Sequence, residues 1–171
     1  PNQVWCADIT YVPMRRGFMY LVAIMDWHSR YILTWELSNS LDRFFCLTAL
    51  DQALTLARPE IFNTDQGAQF TANDFTGRLL AQDIRISMDG RGRAFDNIFI
   101  ERFWRTLKYQ HIYLHDYETV VALWQGLRPS IPMYNEERPQ KGLKYQPPAE
   151  EYYRQKPALS PGPGPCLSLI N

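Results

Sequence analysis

The sequence predicts an α/β domain in which a five-stranded mixed sheet is covered by helices on both faces. Two observations carry this expectation. Short apolar runs and segments of helical periodicity alternate as three strands, helix, strand, helix, strand, then helices, an order that belongs to a mixed sheet with helices on either side. The length of 171 residues, with 46% hydrophobic and 14% aromatic content, suffices for one well-packed domain.

Each element has its own signal. Residues 4–12 are apolar on both alternating faces, with Trp5, Ala7, Ile9 and Tyr11 on one and Val4, Cys6 and Val12 on the other, as a central strand requires. A turn at residues 13–17 leads into a second apolar run, residues 18–25, most simply the hairpin partner of the first. In residues 31–37, Tyr31, Leu33, Trp35 and Leu37 alternate with Ile32, Thr34 and Glu36, which suits an edge strand with one partly wet face. Ser40 can cap the next segment, with Asp42 in its first turn, and Cys46, Leu50, Ala53, Leu54 and Ala57 repeat at helical spacing until Arg58 and Pro59 stop it. Residues 61–64 read as a short buried strand that delivers Asp65 at its end. Thr71-Ala72-Asn73-Asp74 has the form of a capping box opening a helix to about Gln82, and residues 84–87 make the fifth strand.

The stretch Met88-Asp89-Gly90-Arg91-Gly92-Arg93-Ala94-Phe95 reads as a flexible basic loop. Asp96 then caps a helix over residues 97–110, and a further helical stretch from Glu118 meets Pro129 and Pro132, which should break or kink it. Residues 157–171 are rich in proline and glycine and carry little to bury. The expected organisation is therefore one domain over residues 1–156 and a disordered tail over 157–171.

Net charge is zero and the pI is about 7.3, so no global field draws the chain onto nucleic acid, and any DNA affinity must come from local patches. Cys6, Cys46 and Cys166 are widely spaced and odd in number, which argues against a disulfide framework or zinc site and points to a reducing, cytosolic compartment. No apolar run approaches a membrane span. A start at Pro1-Asn2-Gln3, without initiator Met or signal peptide, suggests a fragment of a longer protein.

Three carboxylates carry the candidate chemistry. Asp8 lies mid-strand between Ala7 and Ile9, where an unpaired charge costs several kcal/mol or neutralises by a pKa shift. A buried ion pair, or a hydrogen bond to a turn, explains Asp8 alone slightly better than metal does. Asp65 shifts that balance, because it ends a strand expected beside the first; its structural reading is an Asx turn, and Gly67 permits close approach. On a helical wheel Asn97, Glu101, Trp104 and Lys108 fall on one side, with Phe99, Phe103 and Leu107 roughly opposite. The helix thus offers Glu101 away from its packing face, although a solvated polar face reads the same way. Arg91, Arg93, Arg102, Arg105 and Lys108 form a basic rim beside these acids, as a phosphate backbone requires.

Other residues are bland. His111 and His115 stand four apart but no third ligand is evident, so packing or surface histidines are the simpler reading. Asp26 reads as a structural strand-end acid, Asp89 as a solvated charge, and Tyr134-Asn135 with Arg138-Pro139 as a packing and turn element.

Together Trp5-Cys6-Ala7-Asp8-Ile9-Thr10-Tyr11, Asn63-Thr64-Asp65-Gln66-Gly67-Ala68-Gln69-Phe70, Ser87-Met88, Asp96-Asn97, Glu101-Arg102-Phe103, Leu107-Lys108, Tyr134-Asn135 and Arg138-Pro139 resemble the catalytic core of IS3-type insertion-sequence transposases, relatives of retroviral integrases. The resemblance implies an RNase H-like fold and a catalytic, metal-binding triad at Asp8, Asp65 and Glu101 that takes two Mg²⁺ ions, with Mn²⁺ able to substitute. Such ions would sit about 3.5–4 Å apart, one activating water or a DNA 3′-hydroxyl and the other stabilising the leaving oxygen. The same site would cleave at the element's end and join that end to target DNA. It further implies DNA contacts at Lys108, Arg105, Arg91, Arg93 and Asn97, self-association on DNA, a separate N-terminal DNA-recognition region, and action at the nucleoid of a bacterial cytoplasm.

This chain departs from the family pattern at Asn63, where His is frequent, at Gln110, where an acid often follows Leu-Lys, at Gln140, where His commonly follows Arg-Pro, and at Pro129 and Pro132. Two other functions stay open on the sequence: a silent DNA-binding or assembly module from a decayed element, and an RNase H-like nuclease that only hydrolyses. Metal binding that depends on Asp65 separates the first from a transposase, and joined products separate the second.

Overall fold

The computed structural model describes residues 1–88 and 97–154. Its strands are β1 (Val4–Pro13), β2 (Phe18–Asp26), β3 (Ile32–Ser38), β4 (Ile61–Thr64) and β5 (Arg85–Met88). Its α-helices are α1 (Phe44–Leu56), α2 (Ala68–Thr71), α3 (Asn73–Leu80), α4 (Ile98–Gln110), α5 (Val120–Glu136) and α6 (Pro148–Tyr153). The strands form one sheet in the order β3-β2-β1-β4-β5. β1, β2 and β3 run antiparallel as successive neighbours, while β4 and β5 lie parallel to β1. The expected five-stranded mixed sheet is thus present, with β1 at its centre.

Alternation along β1 divides the core in two. Trp5 and Ala7 point to a layer built by Phe45, Cys46, Leu50 and Phe75, from α1 and α3. Cys6 and Val12 point to the opposite layer, built by Ile100, Phe103, Leu107, Leu123 and Leu127 from α4 and α5. Cys6 and Cys46 therefore lie on opposite sides of the sheet, which excludes a bridge between them.

Four expectations are corrected. β3 is an edge strand, but its second face is not wet. The register steps from Ile24↔Thr34 to Met25↔Ile32, so Leu33 is an extra residue that moves to the same face as Thr34 and Glu36. That face lies against α1, where Thr34 Oγ1 donates to Ala49 O at 2.9 Å and Gln52 Nε2 donates to Glu36 Oε1 at 2.7 Å. Glu36 is consequently only 4% exposed.

The second correction concerns α1, which starts after Arg43: Ser40 bonds Asp42, and Asp42 Oδ1 accepts from Phe44 N at 2.8 Å, so both residues belong to the approach rather than the first turn. Third, the segment 71–74 is no capping box. Thr71 ends α2 and its Oγ1 donates back to Gly67 O, while Asp74 pairs with Arg43 at 3.0 Å. Fourth, α5 runs unbroken through Pro129 and Pro132. Each proline frees a carbonyl four residues earlier, at Gln125 and Arg128, and all four residues are exposed, so water can take the freed acceptors while Leu123, Leu127 and Ile131 stay packed. Thr119 caps α5, accepting from Ala122 N at 3.1 Å.

The loop containing Arg91 and Arg93, the cap Asp96 and the tail 157–171 lie outside the described residues. Among the described residues no helix is long and apolar enough to cross a membrane.

Candidate active site

Asp8 shares the face of β1 that α4 covers, and α4 reaches it directly: Trp104 Nε1 donates to Asp8 Oδ2 at 2.8 Å. The parallel register sets Val4, Trp5 and Cys6 against Ile61, Phe62 and Asn63. Asp8 and Asp65 each follow the last pair, Cys6 and Asn63, by two residues, so the pairing brings both to the same end of the β1–β4 seam, where their charges interact. The two aspartates therefore owe their proximity to strand pairing.

Asp65 is exposed at the end of β4, and its Oδ1 accepts from Gly67 N at 2.9 Å. This is the Asx turn that such a position favours. A Cβ on Gly67 would stand 2.9 Å from that same oxygen, so a larger residue here would displace the Asp65 carboxylate. Glu101 is exposed in the first turn of α4, three residues before Trp104. The side chain that holds Asp8 and the third carboxylate thus ride on one helical turn.

Electrostatics ties the three acids together. The Asp8 pKa is raised to about 6, chiefly by burial and further by the charges of Asp65 and Glu101, against the lowering effect of hydrogen bonds from Trp104 and the Ile9 backbone. Burial lowers the pKa of half-buried Lys108, and the Asp8 charge acts in the opposite direction. Burial likewise raises the Cys46 thiol to about 12, with Asp42 and Asp65 adding to it, so this cysteine is a packing residue rather than a nucleophile.

The carboxylates are neighbours without forming a closed cage. Among the described residues no three His, Cys, Asp or Glu side chains gather closely enough to chelate an ion. The concavities of about 290 Å³ between α4 and α5, and about 370 Å³ beneath the β1–β2 turn, include none of the three acids. Asp65 and Glu101 are exposed, while Asp8 is half-buried. The donor chemistry of the site fits a hard divalent cation: the candidate ligands are all carboxylate oxygens, and Asp8, raised chiefly by burial, also feels the charges of Asp65 and Glu101.

Residues 1–94 match the family model for the integrase core domain, and residues 82–148 match a second model of the same description. The chain belongs to the integrase core domain family. This integrase core is 32% identical over 154 residues to the transposase for insertion sequence element IS904 of Lactococcus lactis, covering 88% of this chain and 61% of that relative. It is 32% identical over 152 residues to the transposase for insertion sequence element IS629 of Shigella sonnei, covering 88% of this chain and 51% of the relative. The chain therefore spans only about half to three-fifths of the length of these relatives.

The fold of the integrase core is shared with the HTLV-2 integrase catalytic core solved in complex with magnesium, at a TM-score of 0.70 and 17% identity over 88% of this chain and 96% of that one. The simian T-cell lymphotropic virus intasome chain, solved with PP2A regulatory subunit B56 gamma, gives 0.76 at 18% identity over all of this chain and 60% of that chain. The RNase H-like architecture implied by the sequence motifs is thereby established.

Of the expected DNA-contacting residues, Lys108 and Arg105 lie on α4 and Asn97 is its N-cap residue, though without a side-chain capping bond. Arg91 and Arg93 lie outside the described residues. Trp104 corrects the helical-wheel reading: it faces Asp8 and is 5% exposed, not part of the open side. A buried indole N–H requires an acceptor, and Asp8 was an unpartnered acid in the adjacent layer; that pairing was the available signal. Asp26 is structural as expected, accepting from Ser29 N at 2.8 Å, Ser29 Oγ at 2.6 Å and Asn2 N at 2.5 Å. His111 is a half-buried packing residue that shares a hydrogen bond with Tyr117 OH at 2.7 Å, and His115 is a surface residue bonded to His111 O at 2.8 Å.

Proposed function

We propose that this chain is the catalytic core of an IS3-type transposase, a metal-dependent polynucleotidyl transferase that cleaves phosphodiesters at element ends and joins the 3′-hydroxyl to target DNA. The observation that carries this reading is Asp8, a half-buried carboxylate facing two further acids from the neighbouring strand and helix, with charge left for a cation to neutralise. Asp8, Asp65 and Glu101 would hold two Mg²⁺ ions, or Mn²⁺ in their place. When bound, the ions supply Lewis acidity to the phosphodiester and activate the attacking hydroxyl.

The chain's own side chains do the positioning. Trp104 fixes Oδ2 of Asp8 and so orients the carboxylate. The β1–β4 pairing sets the spacing of the aspartates, and the Gly67 turn orients Asp65. Lys108, Arg105, Asn97, Arg91 and Arg93 would hold phosphates on either side of the cut. In the first step water attacks phosphorus and the 3′ oxygen leaves; in the second the freed 3′-hydroxyl attacks a target phosphodiester and another 3′ oxygen leaves. No side chain forms a covalent bond to DNA. The core would comprise residues 1–156, with 157–171 as a tail, and would work at the nucleoid in the cytoplasm, self-associated on DNA with a separate N-terminal recognition region.

The test is strand transfer with labelled element-end DNA and Mg²⁺, by the transposase containing this core. Joined product is expected from the wild type, with Asp65→Asn and Glu101→Gln each reducing it on the order of 1000-fold. Undiminished product from Glu101→Gln would sink the assignment, and cleavage without any joined product would make the protein a nuclease.

A further inference from the structure

The exposed side of α4 carries more than its carboxylate. At about 100° per residue, Lys108, Glu101, Arg105 and Tyr109 fall within a stripe of about 100°, opposite buried Ile100, Phe103 and Leu107. Glu101, Arg105 and Tyr109 form one row at four-residue spacing. The row continues past the helix end to Tyr113, in the 3₁₀ turn Ile112–Leu114, whose ring meets that of Tyr109 edge to face at 5.3 Å and 84°. Both rings are open to solvent, Tyr109 at 66% and Tyr113 at 53% exposure, and neighbouring Leu114 is exposed as well. A perpendicular pair of exposed rings forms a corner: one face to stack on, one wall to bound it.

From this row we infer that Tyr109 and Tyr113 are a seat for an unpaired nucleobase of a DNA strand engaged at the carboxylates; the inference rests on the transposase reading. Charge and continuity choose this occupant. Arg102, Arg105 and Lys108 precede the tyrosines on the same helix and line the approach to them with cations that attract a phosphate backbone, while the rings add a π-face that paired, internally stacked bases do not use. The helix rises 1.5 Å per residue, so Tyr109 lies about 12 Å along the axis from Glu101. A stacked strand advances about 3.4 Å per nucleotide, so the seated base would be three to four nucleotides from the bond that reacts. The protein thereby distinguishes a DNA end with a splayed or overhanging strand from an intact duplex, and does so at a fixed distance from the cut.

Equilibrium binding of the wild-type protein to a fluorescent duplex with a single-stranded overhang of about four nucleotides, compared with the same duplex made blunt, tests this at fixed salt. The overhang should bind more tightly, and Tyr109→Ala/Tyr113→Ala should cost it about 10-fold while leaving blunt-duplex affinity within about twofold. Tyr109→Phe/Tyr113→Phe should restore the preference, since stacking needs the ring and not the hydroxyl. An overhang carrying 5-iododeoxyuridine should photocrosslink to Tyr109 or Tyr113 from the third or fourth position. Equal losses on both DNAs, or an overhang preference untouched by the double alanine variant, would overturn the seat alone. Failure of the wild type to bind either DNA would overturn the transposase reading with it.

Discussion

Asp8 is held under electrostatic tension that metal would release. Its folded pKa of about 6 exceeds an unfolded value of about 3.9, so the native state binds a proton more tightly than the unfolded chain does. That favourable contribution is complete below about pH 3.9 and is lost as pH rises through about 6. At pH 7.5 without metal the ionised wild type therefore carries a deficit that Asp8→Asn lacks, while the amide oxygen still accepts from Trp104. The variant should be more stable by on the order of 2 kcal/mol, a rise in Tm of roughly 4–8 °C, in calorimetric scans with EDTA, and the gain should fade near pH 4. Added Mg²⁺ should stabilise the wild type and not the variant. Equal Tm values at pH 7.5 would remove the tension argument. At this scale the sequence exposes the acids readily, because an Asp inside an apolar strand contradicts its surroundings. It conceals Trp104, since a helical wheel ranks directions on one helix and cannot see the layer opposite.

At the scale of elements, the strands and helix α4 were legible because burial on a central sheet forces continuous apolar runs, and Asp65 ends β4 as its sequence position requires. The errors have a common cause in tertiary contacts overriding local signals. The bulge at Leu33 turns a polar edge face toward α1, where Ala49 and Gln52 satisfy Thr34 and Glu36. In α5 the helix-breaking signal of Pro129 and Pro132 loses to a buried ridge that includes Asn135, which clamps β3 by accepting from Ile32 N at 2.8 Å and donating to Ile32 O at 2.9 Å. Packing sustains this helix against its own propensity. Because Pro132 is exposed and the Arg128 carbonyl can regain an intrahelical donor, Pro132→Ala should stabilise the domain. An interior proline costs about 3 kcal/mol relative to alanine, and the stiffer unfolded chain it creates returns about 0.4–1 kcal/mol, so a net gain of about 2 kcal/mol is expected in urea unfolding. A neutral or destabilising result would mean that the proline ring itself contributes packing that exposure does not reveal.

Across the whole molecule, the two ends of the described chain meet far from the carboxylates. Asn2 Oδ1 accepts from Trp5 Nε1 and from Tyr152 OH, each at 3.0 Å, while its own N–H is held by Asp26. The Tyr152 ring is buried and stacks on Tyr31 at 4.7 Å and 12°, and Glu151 beside it bridges His28 at 2.9 Å. α6 thus ties the entry to β1 and the turn between β2 and β3, whereas Asp8 sits further along β1. The α6 contacts and the proposed metal ligand Asp8 lie on separate parts of the same strand, so stability and metal binding should separate by mutation. Tyr152→Phe removes the hydrogen bond to Asn2 and should cost about 1 kcal/mol; Tyr152→Ala also removes the buried ring and should cost about 3–4 kcal/mol. Both variants, measured well below their melting temperatures, should bind Mn²⁺ within about twofold of wild type, because neither Asp8, Asp65 nor Glu101 depends on α6 for its position, and a twofold change is only about 0.4 kcal/mol. A larger loss of metal affinity in folded Tyr152→Ala would show that the end of the chain sets the geometry of β1 as far as Asp8, and that the domain couples its closure to its active surface.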